Sequence, residues 1–315
     1  MPLAQDYLVY PHRRPGPDHD RYPAAPIVTR PPITLPRDLD LGVWLTVLVE
    51  FFPLNPSGVP FKAPGAMQTP YPDLRHYTTR DYGNRVGIYR MLTVLDRLGL
   101  RATFAVQGAV AARTPGLVAD ILSGGHEVAA HGWDTDAIHH SSLDPAVERR
   151  YIADTLDAIA AAGAPRPVGW LSPARSQGFA TPERLVEAGI RWCADWAHDD
   201  LPTPFRTDAG PMTALPLSPE LDDWQILSVY RRPEAEWVAQ IGDAARFLAG
   251  EAARAGPRIL SLTVRPYLLG QPYRIRAFQD SLAQALAAGG AAGGAAGVAG
   301  LRAGGVVGAD LLPAP

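Results

Sequence analysis

From residue 42 to residue 287 the sequence alternates short apolar runs with segments whose apolar residues recur at helical spacing. Residues 43–49 form an apolar run typical of a strand buried on both faces. Residues 85–98 follow with helical periodicity, and Gly99 ends the pattern as a C-terminal stop. Strands and helices that alternate without a linker favour parallel strands wound in one direction. The pattern therefore predicts an irregular (β/α) barrel.

The same alternation continues to the end of the periodic region. Asp144 is predicted to cap the long helix at residues 144–162, with Pro145 at its first position. The predicted strands cover residues 43–49, 102–106, 127–130, 168–171, 191–194, 213–217 and 258–264, and the predicted helices cover residues 85–98, 116–123, 144–162, 181–188, 233–255 and 275–287.

Three regions differ in composition. Residues 1–40 are rich in proline and predict an extended arm laid over a surface. Residues 41–286 are predicted to form one catalytic barrel domain. Residues 287–315 begin with a stretch of almost pure alanine and glycine and are predicted to be a C-terminal tail, because glycine inside a helix costs about 1 kcal/mol relative to alanine.

Composition excludes several classes of partner. The chain has 315 residues, 47% of them hydrophobic, which is enough for a sizeable core. A net charge of −3 provides no basic field for nucleic acid or an anionic membrane. Cys193 is the single cysteine, and the first residues lack a secretory pattern, so we expect a cytoplasmic protein without membrane helices.

Charged side chains follow the predicted strands, where parallel barrels carry their active sites. Glu50 directly follows the first strand, where it has no evident stabilising role. His131 follows the strand that ends at Ala130, although a satisfied core histidine is an equal alternative there. Asp199 and Asp200 have an alternative as turn residues. The candidate residues are Glu50, His131, Trp133, Arg175, Asp199, Asp200, Asp223 and Arg265.

Several motifs in the chain resemble the polysaccharide deacetylase (NodB-homology) superfamily, and within it the branch of allantoinase-like proteins and cyclic imide hydrolases. The resemblance covers about residues 41–286. It implies a distorted (β/α)7 barrel that hydrolyses a carbon–nitrogen bond of an amide, ureide or imide. The motifs are residues 71–87, Ala130-His131-Gly132-Trp133, Gly169-Trp170-Leu171-Ser172-Pro173, residues 195–202 and residues 266–275.

Two departures from the family pattern concern the metal. The resemblance implies that Glu50 matches the general base, but Phe51 stands where a metal-binding aspartate is expected. His131 matches the first of two metal histidines, and Thr135 stands at the second. A catalytic zinc site normally has three protein ligands. We therefore predict no cofactor and no tightly bound metal, unless His139, Asp134 or Asp136 compensates to bind a divalent ion such as zinc weakly.

A third departure concerns the last motif. The resemblance implies a catalytic histidine before Pro266, but the residue is Arg265. A guanidinium group cannot exchange protons near neutral pH, although it can hold a carboxylate or an oxyanion at two points. Arg265 therefore indicates either a changed substrate, one with a carboxylate for example, or a loss of catalysis.

Together these features predict a hydrolase of a small amide, ureide or cyclic imide. Glu50 is predicted to activate water, with a pKa raised by the neighbouring Phe51 and Phe52. His131 would orient the water or protonate the leaving nitrogen. The predicted substrate-binding groups are Trp133 as an apolar wall and the charged side chains Arg175, Asp199, Asp200, Asp223 and Arg265.

Two other functions remain open. One is deacetylation of a polysaccharide or another N-acetyl compound, and the other is a catalytically silent barrel that binds a small ligand or a partner protein. The expected partner is a small-molecule substrate, and a homo-oligomer is open because the proline-rich arm could serve as a docking segment.

Overall fold

A computed structural model describes residues 19–60, 72–289 and 300–313. Within these residues the backbone forms one twisted sheet whose strands lie in the order β6-β7-β5-β4-β3-β2-β1-β8, and β9 pairs with β1. All neighbouring strands are parallel except β6, which is antiparallel to β7. The strands are β1 (Leu41–Val49), β2 (Thr103–Val106), β3 (Glu127–Ala130), β4 (Gly169–Trp170), β5 (Trp192–Cys193), β6 (Thr203–Thr207), β7 (Gly210–Ala214), β8 (Arg258–Val264) and β9 (Ala303–Val306).

The helices pack on the outer face of the sheet. The first two are joined by a π-helical turn at Gly83–Gly87, so the helix predicted from residue 85 begins earlier. No helix among the described residues is long and apolar enough to span a membrane. The helices are α1 (Leu74–Tyr82), α2 (Ile88–Leu98), α3 (Gly108–Arg113), α4 (Pro115–Ser123), α5 (Pro145–Ala161), α6 (Thr181–Glu187), α7 (Glu234–Ala255), α8 (Pro266–Leu269) and α9 (Ile275–Ala287).

The central strand β1 is buried along its whole length. Its alternate side chains belong to two apolar clusters, one between the sheet and the helices and one on the inner, concave face. In the inner cluster the rings of Trp44 and Trp192 meet edge to face, 5.9 Å apart. This burial on both faces explains the apolar run at residues 43–49. The predicted α/β barrel class is confirmed.

The sheet is open between its edge strands β6 and β8, which do not pair with each other in the described part of the chain. Two segments outside the predicted barrel domain pack against the sheet. Leu35 and Leu39 of the arm and Leu311 near the C-terminus all belong to the inner apolar cluster. Closer to the N-terminus, the ion pairs Arg21–Glu183 and Arg30–Asp199 attach the arm to the barrel.

The prediction of a tail after residue 286 is wrong for part of that region. Residues 303–306 form β9 and pair in parallel with Leu41–Trp44 of β1. The alanine and glycine content concealed this strand, because small residues have low strand propensity. Packing requires them here: a Cβ atom on Gly305 would lie 2.8 Å from Leu100 and 3.1 Å from the Arg101 carbonyl oxygen.

A tight contact inside the barrel gives a test of this packing. A Cβ atom on Gly169 of β4 would lie 2.0 Å from the indole of Trp192, so we expect Gly169→Ala to destabilise the fold by at least about 1–3 kcal/mol. Gly116→Ala is the matched control, because that position in α4 is exposed and open. Urea unfolding measures both variants, and an unchanged midpoint for Gly169→Ala would contradict the packing described here.

Candidate active site

The carboxyl ends of neighbouring parallel strands bring several polar side chains together. Glu50 directly follows β1, Gln107 follows β2 and His131 follows β3, and the last residues of these strands lie side by side in register. Arg265 follows β8, on the other side of β1. Four polar residues therefore lie at one edge of the sheet, where α/β enzymes carry their sites.

Glu50 and His131 face each other at this edge. Oε1 of Glu50 lies 3.9 Å from Nε2 of His131, which is too long for a direct hydrogen bond. Nδ1 of His131 donates to the Leu171 carbonyl oxygen at 2.7 Å, since that oxygen can only accept. Nε2 is buried and has no hydrogen-bond partner, so it is the nitrogen left to exchange a proton. The interpretation of His131 as a fully satisfied core residue therefore does not fit.

Arg80, on α1, is a further member of the cluster, which the sequence reasoning missed. Its Nε atom lies 3.7 Å from Oε2 of Glu50, and neither atom has a hydrogen-bond partner among the described residues. The guanidinium group lies over two aromatic rings, 4.5 Å from the ring centre of Tyr267 and 5.4 Å from that of Phe52. Such cation–π contacts hold a buried guanidinium in place without neutralising it.

Close backbone contacts position α1 beside Glu50. Nδ2 of Asn84 donates to the Glu50 carbonyl oxygen at 2.9 Å. The turn Gly83–Gly87 lies against α8, and a Cβ atom on Gly87 would lie 2.1 Å from the Pro266 carbonyl oxygen. Glycine is therefore required for this approach, which fixes Arg80 relative to the end of β8.

Gln107 also supplies an unpaired group. Its Oε1 accepts a hydrogen bond from the Phe51 backbone at 2.6 Å, which orients the side chain, and its buried Nε2 has no partner. Gln107 directly follows a predicted strand, so the rule that selected Glu50 and His131 could have found it. No such signal indicated Arg80, whose helix was not predicted.

Arg265 is held by two carboxylates. Its NH1 group lies 2.6 Å from Asp222 and 2.7 Å from Asp223, and its backbone N–H donates to the second oxygen of Asp223 at 2.7 Å. Both oxygens of Asp223 are thus engaged by Arg265, which leaves this carboxylate poorly placed to bind substrate. NH1 of Arg265 is bonded to these two carboxylates, so it cannot take part in the predicted two-point contact with a substrate.

The prediction of a raised pKa for Glu50 is wrong. Burial does raise this pKa, but the nearby His131, Arg80 and Arg265 outweigh burial and lower the pKa from 4.5 to about 2. The sequence reasoning weighed only the two phenylalanines beside Glu50, whereas His131, Arg80 and Arg265 come from segments that are distant in sequence. Glu50 is therefore an ionised carboxylate near neutral pH.

Asp223 shows the opposite shift. Burial raises its pKa to about 7, Arg265 opposes the rise, and Asp222 adds to it. Two carboxylates that share one guanidinium group repel each other in a buried position, so the protonated form of one is favoured. The pair therefore binds Arg265 without holding two full negative charges.

Four other predicted residues lie apart from this cluster or have no contact with it. Trp133 is half-buried and packs on Gly108 at the start of α3. Arg175 is exposed with φ of 53°, in a strained turn, and no ion pair within the described residues involves it. Asp199 pairs with Arg30 of the arm and accepts from the Leu201 backbone, as the turn interpretation requires. Asp200 is exposed.

The residues present do not fit the divalent metal that the family pattern implies. Thr135 uses its hydroxyl to donate to the Phe51 carbonyl oxygen at 3.1 Å, so the two replaced ligand positions are adjacent but offer no metal-binding side chain. Asp134 and Asp136 accept hydrogen bonds from nearby backbone groups. Nδ1 of His139 is 2.9 Å from Glu148 in the core. Within the described residues, no three histidine, cysteine or acidic side chains are grouped to hold an ion.

Comparisons with known proteins agree with the fold. Residues 70–192 match the model of a family described as polysaccharide deacetylase, which confirms the predicted superfamily resemblance for this segment. No curated protein matches the chain significantly.

Solved structures resemble the chain over most of its length. A polysaccharide deacetylase structure from Pseudomonas aeruginosa has 23% identity and a TM-score of 0.69, with 83% of this chain and 91% of that chain covered. The PuuE allantoinase has 22% identity and a TM-score of 0.70, over 81% of this chain and 87% of its own. A structure from Mycobacterium smegmatis, also described as a polysaccharide deacetylase, has 24% identity and a TM-score of 0.64, over 81% and 87%. At these identities the likeness concerns the fold.

The Arg265 cluster allows a stability test. Arg265→Met leaves Asp222 and Asp223 without their cation, so we expect it to destabilise the fold by about 3–5 kcal/mol near pH 7. In the wild type the pKa of Asp223 is already raised to about 7, and without Arg265 it rises further. The wild type and the variant therefore lose stability in parallel up to about pH 7, and above it only the variant keeps losing stability, so the loss should be larger near pH 9 than near pH 7.

Arg276→Met is the control for this test. Arg276 forms an exposed ion pair with Asp280 on α9 and should contribute at most about 1 kcal/mol. Urea unfolding at both pH values measures the two variants. Equal small losses for both, independent of pH, would show that Asp223 does not depend on Arg265.

Proposed function

We propose that this chain hydrolyses a carbon–nitrogen bond in a small amide, ureide or cyclic imide without a tightly bound metal. The observation that carries the proposal is the set of unpaired buried polar atoms around Glu50. Nε of Arg80 and Nε2 of Gln107 are donors, Oε2 of Glu50 is an acceptor, and Nε2 of His131 can be either. Buried polar atoms are nearly always paired, so a cluster of unpaired ones is typical of a ligand site.

The arrangement of donors and acceptors supports this class of substrate. A ureide or an imide presents N–H and C=O groups side by side in one plane. The donors of Arg80 and Gln107 can bind a carbonyl oxygen, and Glu50 and His131 can accept from an adjacent N–H group. The roles predicted for Arg175, which would hold a substrate carboxylate, and for Trp133, which would form an apolar wall, stay predictions, because none of the contacts described above joins either residue to the Glu50 cluster.

In the proposed reaction Glu50 takes a proton from water as the water oxygen attacks the substrate carbonyl carbon, and the carbonyl electron pair moves onto its oxygen. When this pair returns, the C–N bond breaks. The leaving nitrogen receives the proton that Glu50 took, passed on through Nε2 of His131. The products are a carboxylic acid, which loses its remaining proton to solvent, and an amine or an amide. Arg265 is a positioning residue here, because it acts on the charge of Glu50 from its fixed place beside Asp222 and Asp223.

Deacetylation of N-acetyl compounds is the second candidate, and the family match of residues 70–192 favours it. Phe51 and Thr135 argue against it, because an unactivated acetamide usually needs a metal ion to polarise its carbonyl group. The silent barrel is a third possibility, and the same assays decide among the three.

A substrate panel tests the proposal. The purified protein is assayed with allantoin, hydantoin, succinimide, ureido acids and N-acetyl sugars, before and after dialysis against a chelator and with zinc added back. We expect turnover of a ureide, imide or small amide that survives chelation. Turnover of N-acetyl sugars alone would favour the deacetylase, and activity lost on chelation and restored by zinc would contradict metal independence.

The role of Glu50 is tested by Glu50→Gln, which keeps the shape but cannot take a proton. We expect turnover to fall on the order of 10²-fold or more. Glu187→Gln is the control, since that residue forms an exposed ion pair with Arg149 on the surface, and its turnover should match the wild type. Unchanged turnover in Glu50→Gln, with the fold intact, would remove Glu50 from the mechanism.

A further inference from the structure

Arg80 lies where a carbonyl group would be polarised, and the fold gives its charge no hydrogen-bonded partner at Nε. The side chain is only 11% exposed, and the nearest carboxylate oxygen, Oε2 of Glu50, is 3.7 Å from Nε. Both of these atoms lack a hydrogen-bond partner. A buried guanidinium that forms no hydrogen bond at Nε costs free energy, so the position needs an explanation other than stability.

The surroundings of Arg80 keep it in this position. The rings of Tyr267 and Phe52 lie against the guanidinium and restrict its movement. Asn84, one turn further along the same helical segment, ties that segment to the Glu50 backbone. A donor that is rigidly held before the substrate arrives stabilises a developing charge without reorganisation, which is the requirement for an oxyanion site.

The residues that would hold a metal ion are replaced at the same edge of the sheet. Phe51 directly follows Glu50, and the hydroxyl of Thr135 donates to the Phe51 carbonyl oxygen. Neither side chain offers a ligand, so the positive charge nearest to Glu50 comes from Arg80 and Arg265. NH1 of Arg265 is held by Asp222 and Asp223, whereas Arg80 has no such pairing at Nε.

We propose that Arg80 is the electrophilic group of this site: its Nε–H donates to the substrate carbonyl oxygen and stabilises the oxyanion that forms when water attacks. The inference rests on the hydrolytic function proposed above and deepens it, because it names the residue that takes the place of a metal ion. In this step the carbonyl electron pair moves onto the oxygen beside Arg80, and the water proton goes to Glu50. Arg80 itself keeps all its protons.

The inference is tested with Arg80→Gln, Arg80→Lys and Arg80→Ala on the best substrate of the panel. We expect kcat of Arg80→Gln to fall on the order of 10²-fold or more while KM changes less than about threefold, because the lost interaction forms in the transition state. Arg80→Lys keeps the charge beside the two rings and reports on catalysis even if the other variants fold poorly. It should also lose kcat, because lysine lacks the planar donor geometry. Added guanidinium ion should restore part of the activity of Arg80→Ala and none to the wild type.

Arg85→Gln is the matched control. Arg85 lies in the turn that follows α1 and forms an exposed ion pair with Asp81, so its kinetics should equal those of the wild type. A change in KM alone for Arg80→Gln, or a kcat within about threefold of the wild type, would overturn the inference and leave the hydrolytic function standing. Activity that requires zinc would overturn the inference and also the metal independence of the proposed function.

The two proposals fail in different ways. If the protein hydrolyses only N-acetyl sugars, the proposed function is wrong, and the kcat ratio for Arg80→Gln on that sugar still decides the role of Arg80. A wild-type protein that hydrolyses no compound of the panel contradicts both.

Discussion

The buried, ionised carboxylate of Glu50 is the feature on which the organisation of this site depends. Removing a carboxylate from water costs several kcal/mol, and the fold compensates with the nearby His131, Arg80 and Arg265. The depressed pKa means that ionisation of Glu50 stabilises the fold above its unfolded value of about 4.5, and that this contribution disappears as the pH falls toward 2. The ionisation of Glu50 and the proposed chemistry thus depend on the same three neighbouring residues.

Each of the two arginines needs further residues to hold it in place. Arg265 needs Asp222 and Asp223, and their proximity in turn raises the pKa of Asp223. Arg80 needs the aromatic rings of Tyr267 and Phe52, and it needs glycine in the turn after α1 so that the helix can approach α8. Two of the motifs that carried the family resemblance, residues 71–87 and Ala130-His131-Gly132-Trp133, supply Arg80 and His131, and a third directly follows Arg265. None of these motifs therefore contains the whole site.

Much of the fold could be predicted from the sequence, because a strand buried on both faces leaves an apolar run and an amphipathic helix leaves a period of 3.6 residues. Glu50, His131 and Arg265 were found for a related reason: a charged residue directly after such a run has few structural uses. Arg80 and β9 could not be found this way. Arg80 lies on a helix with weak amphipathicity. The glycines of β9 are required by close packing, Gly304 against Leu39 and Gly305 against Leu100, and strand propensity does not indicate them. The direction of the pKa shift of Glu50 was misjudged because it depends on residues that are distant in sequence.

A carboxylate with a pKa of about 2 is a weak base, and this bears on the kind of substrate that the site can serve. A metal ion lowers the pKa of bound water to about 7, so a weak base suffices beside it, but the residues here do not form such a site. Two properties can offset this difference. An imide or a ureide has a more electrophilic carbonyl group and a better leaving nitrogen than an acetamide. In addition, when the charge of Arg80 engages the substrate oxygen, its attraction to Glu50 weakens, and the pKa of Glu50 rises toward the value that a general base needs. In the proposed mechanism the same arginine keeps Glu50 ionised before binding and strengthens it as a base during the reaction.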